Sequence, residues 1–224
     1  MGEYPKISAN LGKIRHNIDT LTALCRRHGI KVAAVTKAVC ADGTIARVFE
    51  QSDASMLADA RIENLDRLNT KKPKLLLRAS APCEADETVR SADVSLVSEI
   101  DSIRALGKAA RLAQKKHAVI LMIDLGDLRE GILFRNRQAI YRAALAAADE
   151  PALELLGVGT NLTCYGAISP DEANLGELCR IAEEVRSKTG LPVPLVSGGN
   201  SSTIGLLRVN RVPKGVNHLR LGES

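Results

Sequence analysis

Two kinds of segment alternate along the chain. Short, continuous apolar runs occupy residues 31–37, 55–60, 74–80, 93–99, 118–125, 153–162, 194–200 and 218–224. They lack strict polar alternation, which is how a strand covered on both faces reads. Between them lie amphipathic stretches with apolar residues at helical spacing, at 11–29, 45–52, 61–70, 99–117, 135–149 and 169–190. The first stops at Gly29. The last runs from Ser-Pro-Asp to Gly190, the usual helix start and stop signals. Strand followed by helix, eight times over, predicts an α/β fold of the (β/α)8 TIM-barrel type, in one domain over residues 1–224. A doubly wound open sheet is the alternative, and eight regularly spaced strands favour closure. Residues 4–11 read as a lead-in strand outside the barrel. Ser224 falls at the end of the eighth strand, so the barrel is expected to be truncated there, lacking a closing helix and leaving an apolar face bare.

Composition narrows the partners. The 224 residues contain no Trp, two Phe and three Tyr, so the core must be built from Leu, Ile, Val and Ala. Few rings also argue against base stacking on nucleic acid. The net charge of +5 is diffuse; its densest clusters, 71–74 and 115–116, read as solvated ends. Five cysteines, an odd number with no CxxC pair, predict neither a disulfide framework nor a zinc site, and no metal is expected. A reducing cytoplasm is the expected compartment. The N-terminus shows no apolar signal region, and no apolar run approaches the ~18 residues of a membrane span.

The chemistry of such a barrel sits at the C-terminal ends of its strands. The first strand ends in Lys37, the fifth in DLGDLREG (124–131), the sixth in TNLTCYG (160–166), the seventh in SGGNSS (197–202) and the eighth in RLGES (220–224). Consecutive glycines, Asn200 and two serines, ahead of a helix opening at IGLL, have the makings of a phosphate cradle. The glycine of RLGES lies on the adjacent strand, where barrels often grip phosphate. A phosphate, a lysine in the same mouth and Arg220 together suggest pyridoxal 5'-phosphate. A lysine desolvated by the barrel would have a lowered pKa and could form a Schiff base. The bland readings are a snorkelling strand-end Lys37, arginines 129 and 220 paired with Asp124 or Glu223, a small buried hydrophobe at Cys164 and a packing role for His218.

Six separated motifs then carry a resemblance that spans the chain: AAVTKAVCADG around Lys37, LADARIENLDRL (57–68), DLGDLREG, GVGTNLTCYG (157–166), SGGNSST (197–203) and VNHLRLGES (216–224). The sequence resembles the fold-type III pyridoxal phosphate enzymes of the alanine racemase group, in their ornithine racemase-like branch. The resemblance implies an amino-acid racemase in which Lys37 carries the cofactor and exchanges one proton at the substrate α-carbon. It places Arg129 at the cofactor's 3'-oxygen, Arg220 at the pyridine nitrogen with Asn161 orienting it, and Asn200, Ser201, Gly222 and Glu223 around the phosphate. For Glu223 the expected contribution is the backbone N–H, since its carboxylate would be repelled.

The departures are informative. Ala41 stands where alanine racemases have a phosphate-contacting tyrosine, and Met122 where they have a carbamylated lysine. Alanine is therefore not the expected substrate; Asp59 and Asp127 are the acidic residues that could meet a basic side chain such as ornithine's. The resemblance also implies a second, β-rich C-terminal domain, which would supply the opposite base and the contacts of a homodimer and which is expected to lie outside this sequence. Two other readings remain open: a non-catalytic pyridoxal phosphate homeostasis barrel, and a barrel for some other phosphorylated metabolite.

Overall fold

The computed structural model describes residues 7–223. Strands β1 (Lys31–Val35), β2 (Met56–Asp59), β3 (Lys74–Ala79), β4 (Val94–Val97), β5 (His117–Asp124), β7 (Leu153–Gly159), β8 (Leu195–Ser197) and β9 (His218–Leu221) are all parallel and pair in that order. Strand β9 closes the ring on β1, with Lys31 opposite His218 and Ala34 opposite Leu221. The open-sheet alternative is thereby excluded: this is a closed eight-stranded TIM barrel. A two-residue strand, β6 (Ile132–Leu133), flanks β5 outside the ring.

Side chains divide by the period of two along each strand. Ala33, Val35, Ala58, Leu75, Val94, Leu96, Ile120, Met122 and Leu195 fill the barrel. Their neighbours, among them Val32, Val119, Leu121, Ile123, Val158, Val196, Leu219 and Leu221, pack outward against the helices. Helices α2 (Gly43–Glu50), α3 (Ile62–Arg67), α5 (Ile100–Leu112), α6 (Arg137–Ala148) and α7 (Glu172–Thr189) follow their strands as the spacing predicts. Two more, α4 (Ala85–Ser91) and the short α8 (Ile204–Arg208), complete the set. Helix α4 was not foreseen because its buried face is small and partly polar: Ala85, Thr88, Val89 and Ser91.

The expected bare face does not exist. Helix α1 (Leu11–Arg27) precedes β1, yet it packs where a closing helix would lie. Its Leu21, Leu24 and Cys25 join one apolar cluster with Leu219 and Leu221 of β9 and with Ile204 and Leu207 of α8. Leu219 and Leu221 are consequently only 0% and 3% exposed. The lead-in strand is also corrected. Residues 1–6 lie outside the described part, residues 7–10 form no strand, and Leu11 already belongs to α1, capped by the Asn10 side chain accepting from the Lys13 N–H at 3.0 Å. Nor is the 71–74 cluster wholly solvated: the Lys72 ammonium donates to the carbonyls of Ser52 and Ala54, and Lys74 to that of Leu65.

One side of the barrel interior is polar. Ser197 of β8 and His218 of β9 point inward, joined Oγ to Nδ1 at 2.7 Å. Burial pushes the His218 imidazole down to about 3, with the charges of Arg220 and Lys31 acting in the same direction. His117, bonded to Ser95 at 2.8 Å, is pushed down to about 4, chiefly by burial.

Two outcomes follow from this packing. A Cβ at Gly157 would sit 1.9 Å from the Leu195 carbonyl oxygen, so Gly157→Ala should cost about 3 kcal/mol or more in a urea unfolding titration. Both buried histidines bind their proton less readily folded than unfolded, so stability is fully present above their ordinary pKa. It should fall as pH drops from about 6.5 towards 4, by up to about 1.4 kcal/mol per pH unit per histidine. Urea midpoints across that range check the slope, which His117→Gln should roughly halve.

Candidate active site

The barrel mouth holds a small open cleft of about 100 Å³. All eight sequence-predicted site residues line it: Lys37, Arg129, Asn161, Asn200, Ser201, Arg220, Gly222 and Glu223. Val35, Leu77, Thr163 and Cys164 complete its wall. Of the non-glycine residues with positive φ, Cys40, Ala41, Leu128, Thr163 and Ala167 all lie on loops at this mouth. Left-handed backbone of this kind is costly and clusters at functional sites.

Lys37 enters from β1, though not as a strand residue. The strand ends at Val35, and Lys37 opens a short 3-10 turn, Lys37–Val39. Its side chain is exposed at the rim, so the expected desolvation by the barrel is not seen. What is buried is its support. Thr36 donates its N–H to the Ala58 carbonyl at 2.8 Å and its hydroxyl to Asp59 at 2.7 Å. Asp59, fully buried, also accepts from the Arg61 N–H at 3.0 Å and from Asn64 at 2.9 Å. Asp59 therefore anchors the lysine turn and is not free to meet a substrate.

Arg220 rises from β9 inside the barrel and is 3% exposed. Its guanidinium donates to Ser197 Oγ, to the Thr160 carbonyl at 2.5 Å and to Asn161 Oδ1 at 2.8 Å. All are neutral acceptors, and among the described residues no carboxylate lies within ion-pair distance. Burial brings its pKa down to about 10, with Glu130 opposing and Arg129 reinforcing the shift. The sequence pointed to Asn161 as its partner, and the geometry agrees; the pairing with Glu223 or Asp124 does not occur. Asp124 instead accepts from the N–H groups of Gly126 and Leu128 at 2.8 and 3.1 Å, closing the turn after β5.

Arg129 leans on that turn and donates to the Cys164 sulfur at 3.0 Å. Burial opposes its charge, but Cys164, Glu130 and Asp127 outweigh burial and hold its pKa up. Cys164 is thus half-buried against a cation and is not a purely apolar filler. The loop that carries it hangs from Asp127, whose buried carboxylate accepts from the N–H groups of Cys164, Tyr165 and Ile168 at 3.1, 3.0 and 3.2 Å. Asp127, like Asp59, is engaged in structure and leaves no lone pair aimed at a substrate.

The opposite wall is rich in donors. The N–H groups of Gly222 and Glu223 converge on Ser201 Oγ at 3.2 and 3.1 Å. A Cβ at Gly222 would come 2.8 Å from Val35 Cβ, so glycine lets this loop press onto the strand that leads to Lys37. Asn200 is fully engaged: its amide donates to the Leu162 carbonyl at 2.9 Å and its oxygen accepts from Ser202 at 2.9 and 2.7 Å. It shapes the loop and ties it to the one after β7. Glu130, Ser197 and the Thr160 carbonyl were not singled out from sequence. The signal for Glu130 lay within DLGDLREG, and that for Ser197 in its pairing across β8 and β9 with inward-facing His218.

The alanine racemase N-terminal domain model matches residues 9–224. The chain is 42% identical over 222 residues to an ornithine racemase of Acetoanaerobium sticklandii, covering 99% of this chain and 62% of that protein. It is 31% identical over 224 residues to a lysine racemase of Thermotoga maritima, with the same coverages. The chain thus spans about 62% of the length of the curated relatives it matches. Among solved structures, an alanine racemase of Clostridium difficile 630 superposes with a TM-score of 0.76 at 18% identity, over 96% of this chain and 55% of its own. With six motifs in order, a closed barrel and a match over nearly its whole length, the chain belongs to the alanine racemase N-terminal domain family.

Proposed function

We propose that the protein is a pyridoxal 5'-phosphate-dependent amino-acid racemase acting on a basic amino acid of the ornithine or lysine kind. The observation that carries this reading is the convergence of Lys37, Arg129 and Arg220 with Ser201 and the two adjacent backbone N–H groups that meet its hydroxyl, all in one cleft. The residues present fit the cofactor. Three cations face one half-buried carboxylate, Glu130, and the exposed Glu223, so the cleft suits an anion. Adjacent N–H groups aimed at one point form the concavity that phosphate oxygens prefer.

In this reading Lys37 is the amine that holds the cofactor and moves a proton at the substrate α-carbon. When bound, the group supplies electron withdrawal that makes that proton acidic. Ser201 and the N–H groups of Gly222 and Glu223 bind the phosphate. Asn200 shapes their loop and does not reach the anion with its own side chain. Arg129 faces the ring oxygen. Arg220, oriented by Asn161, donates to the ring nitrogen. An arginine keeps that nitrogen unprotonated, which limits electron withdrawal and suits simple proton exchange over deeper bond cleavage.

The basic-substrate reading rests on the ornithine and lysine racemases among the relatives. The sequence-based candidates Asp59 and Asp127 do not support it, since both are engaged in structure. The opposite base, and contacts of a homodimer, are proposed to come from the part of the relatives' length that this chain does not span, and the working compartment is proposed to be the cytoplasm. No helix among the described residues is long and apolar enough to cross a membrane.

Two measurements test the proposal. Added pyridoxal 5'-phosphate should give the visible absorption of a lysine-linked cofactor, and Lys37→Ala should abolish it; no band in either protein would sink the reading. In deuterium oxide the full-length protein should wash deuterium into the α-position of L-ornithine or L-lysine, and Lys37→Ala should slow this by about a thousandfold or more. A persistent band without exchange on any amino acid would instead make the protein a cofactor carrier.

A further inference from the structure

Glu130 stands between the two arginines of the cleft, and the activity proposed above assigns it nothing. Its side chain is 12% exposed. One of its oxygens, Oε1, lies 3.9 Å from Arg129 Nε and also accepts a hydrogen bond from Asn161 Nδ2. On the far side of the same amide, Asn161 Oδ1 accepts from Arg220 at 2.8 Å. The amide therefore sits between a group that only accepts and a group that only donates. A carboxylate on one side and a guanidinium on the other admit a single orientation; the flipped amide would set like against like at both ends.

We infer that Glu130 is a positioning residue that fixes the Asn161 amide and, through it, the direction of the Arg220 guanidinium, while drawing Arg129 to the same point. It makes no hydrogen bond or ion pair with Arg220 itself, so its effect on Arg220 passes through Asn161, beside its direct pull on Arg129. Three features support this. Arg220 has no carboxylate of its own, so its geometry depends on neutral acceptors whose orientation something else must set. Ser197, the acceptor on the other side, is held by His218, so Asn161 is the acceptor left to be fixed. Glu130 also counteracts the loss of charge that burial imposes on Arg220. The loop supports the placement: a Cβ at Gly131 would come 2.6 Å from the Asp124 backbone nitrogen, so the chain passes tightly against β5 just after Glu130.

The inference rests on Arg220 and Arg129 being cofactor contacts, and a double-mutant cycle separates the two ideas. The full-length protein and its Glu130→Leu, Asn161→Ala and doubly substituted variants are titrated with pyridoxal 5'-phosphate by visible absorption. Each single change should weaken binding by about tenfold, the scale of a hydrogen bond to a charged group. The double variant should be no weaker than the weaker single one, because both changes remove one arm. Glu130→Gln, which keeps an acceptor of the same length, should lie between the parent and Glu130→Leu. Additive losses, about a hundredfold in the double variant, would overturn the inference, as would unchanged binding in Glu130→Leu. Should Glu130→Leu fail to fold, Glu130→Ala takes its place in the cycle. If the parent protein does not bind the cofactor, the functional reading falls alone. The coupling is then read from urea unfolding of the same four proteins, where additivity overturns it and non-additivity upholds it.

Discussion

A guanidinium inside a barrel is the constraint around which the rest is arranged. Arg220 is 3% exposed and has no carboxylate within ion-pair reach among the described residues. A buried charge in that position is costly unless every donor is met. Here three acceptors come from two segments: the Ser197 hydroxyl on β8, and the Thr160 carbonyl and Asn161 amide just past β7. Those segments must stop where they do for the acceptors to converge. Gly159 serves the same end. A Cβ there would crowd Ile120, Met122 and Ser197, at 3.1 to 3.3 Å. The apolar half of the barrel, built from β1 to β5, supplies the dry wall that makes these hydrogen bonds strong.

The loops above this interior are held from below by carboxylates. Asp59 holds the turn that presents Lys37, and Asp127 holds the loop that presents Cys164 to Arg129. Asp124 closes the turn leading to Arg129. Each is buried or nearly so, and each accepts backbone N–H groups that would otherwise lack partners. The left-handed residues at the mouth are the price of these tight loops, and the carboxylates offset it. A cleft lined by loops thus acquires the rigidity of a scaffold.

Much of this was legible in the chain itself. Continuous apolar runs gave away strands covered on both faces, and every one of the eight lies in the ring. The residues that line the candidate cleft were legible because a barrel puts its strand ends at one mouth, so a strand's last polar residue names its own place. What escaped has physical reasons. Helix α4 buries threonine and serine, so its apolar face is too thin to show as periodicity. Asp59 and Asp127 carry charges that look available, and only the fold shows them already accepting from N–H groups and, at Asp59, from the Thr36 hydroxyl. Glu130 was hidden by its neighbour Arg129, because spacing shows which residues are near one another but not which pair off. Helix α1 was misjudged because chain order suggested that a helix after the last strand must seal the barrel, whereas a helix before the first can reach the same seam.

That seam also dictates an order of events. The β1–β9 junction joins Lys31–Ala34 to His218–Leu221, and α1 lies across it. As the chain leaves the ribosome, the first helix and first strand are made early but have no partner on that side until β9 emerges. Contacts this distant in sequence form slowly, since a long loop must close before they are rewarded. Until then the outward faces of β1 and α1 stay greasy and open to misassociation, a hazard that chaperones exist to cover. Once β9 docks, the edge of β1, the lysine turn beyond it and the Gly222 loop pressed on Val35 are completed in one stroke. Closure of the barrel and assembly of the cleft are therefore a single late event, and a nascent chain short of that point should hold neither.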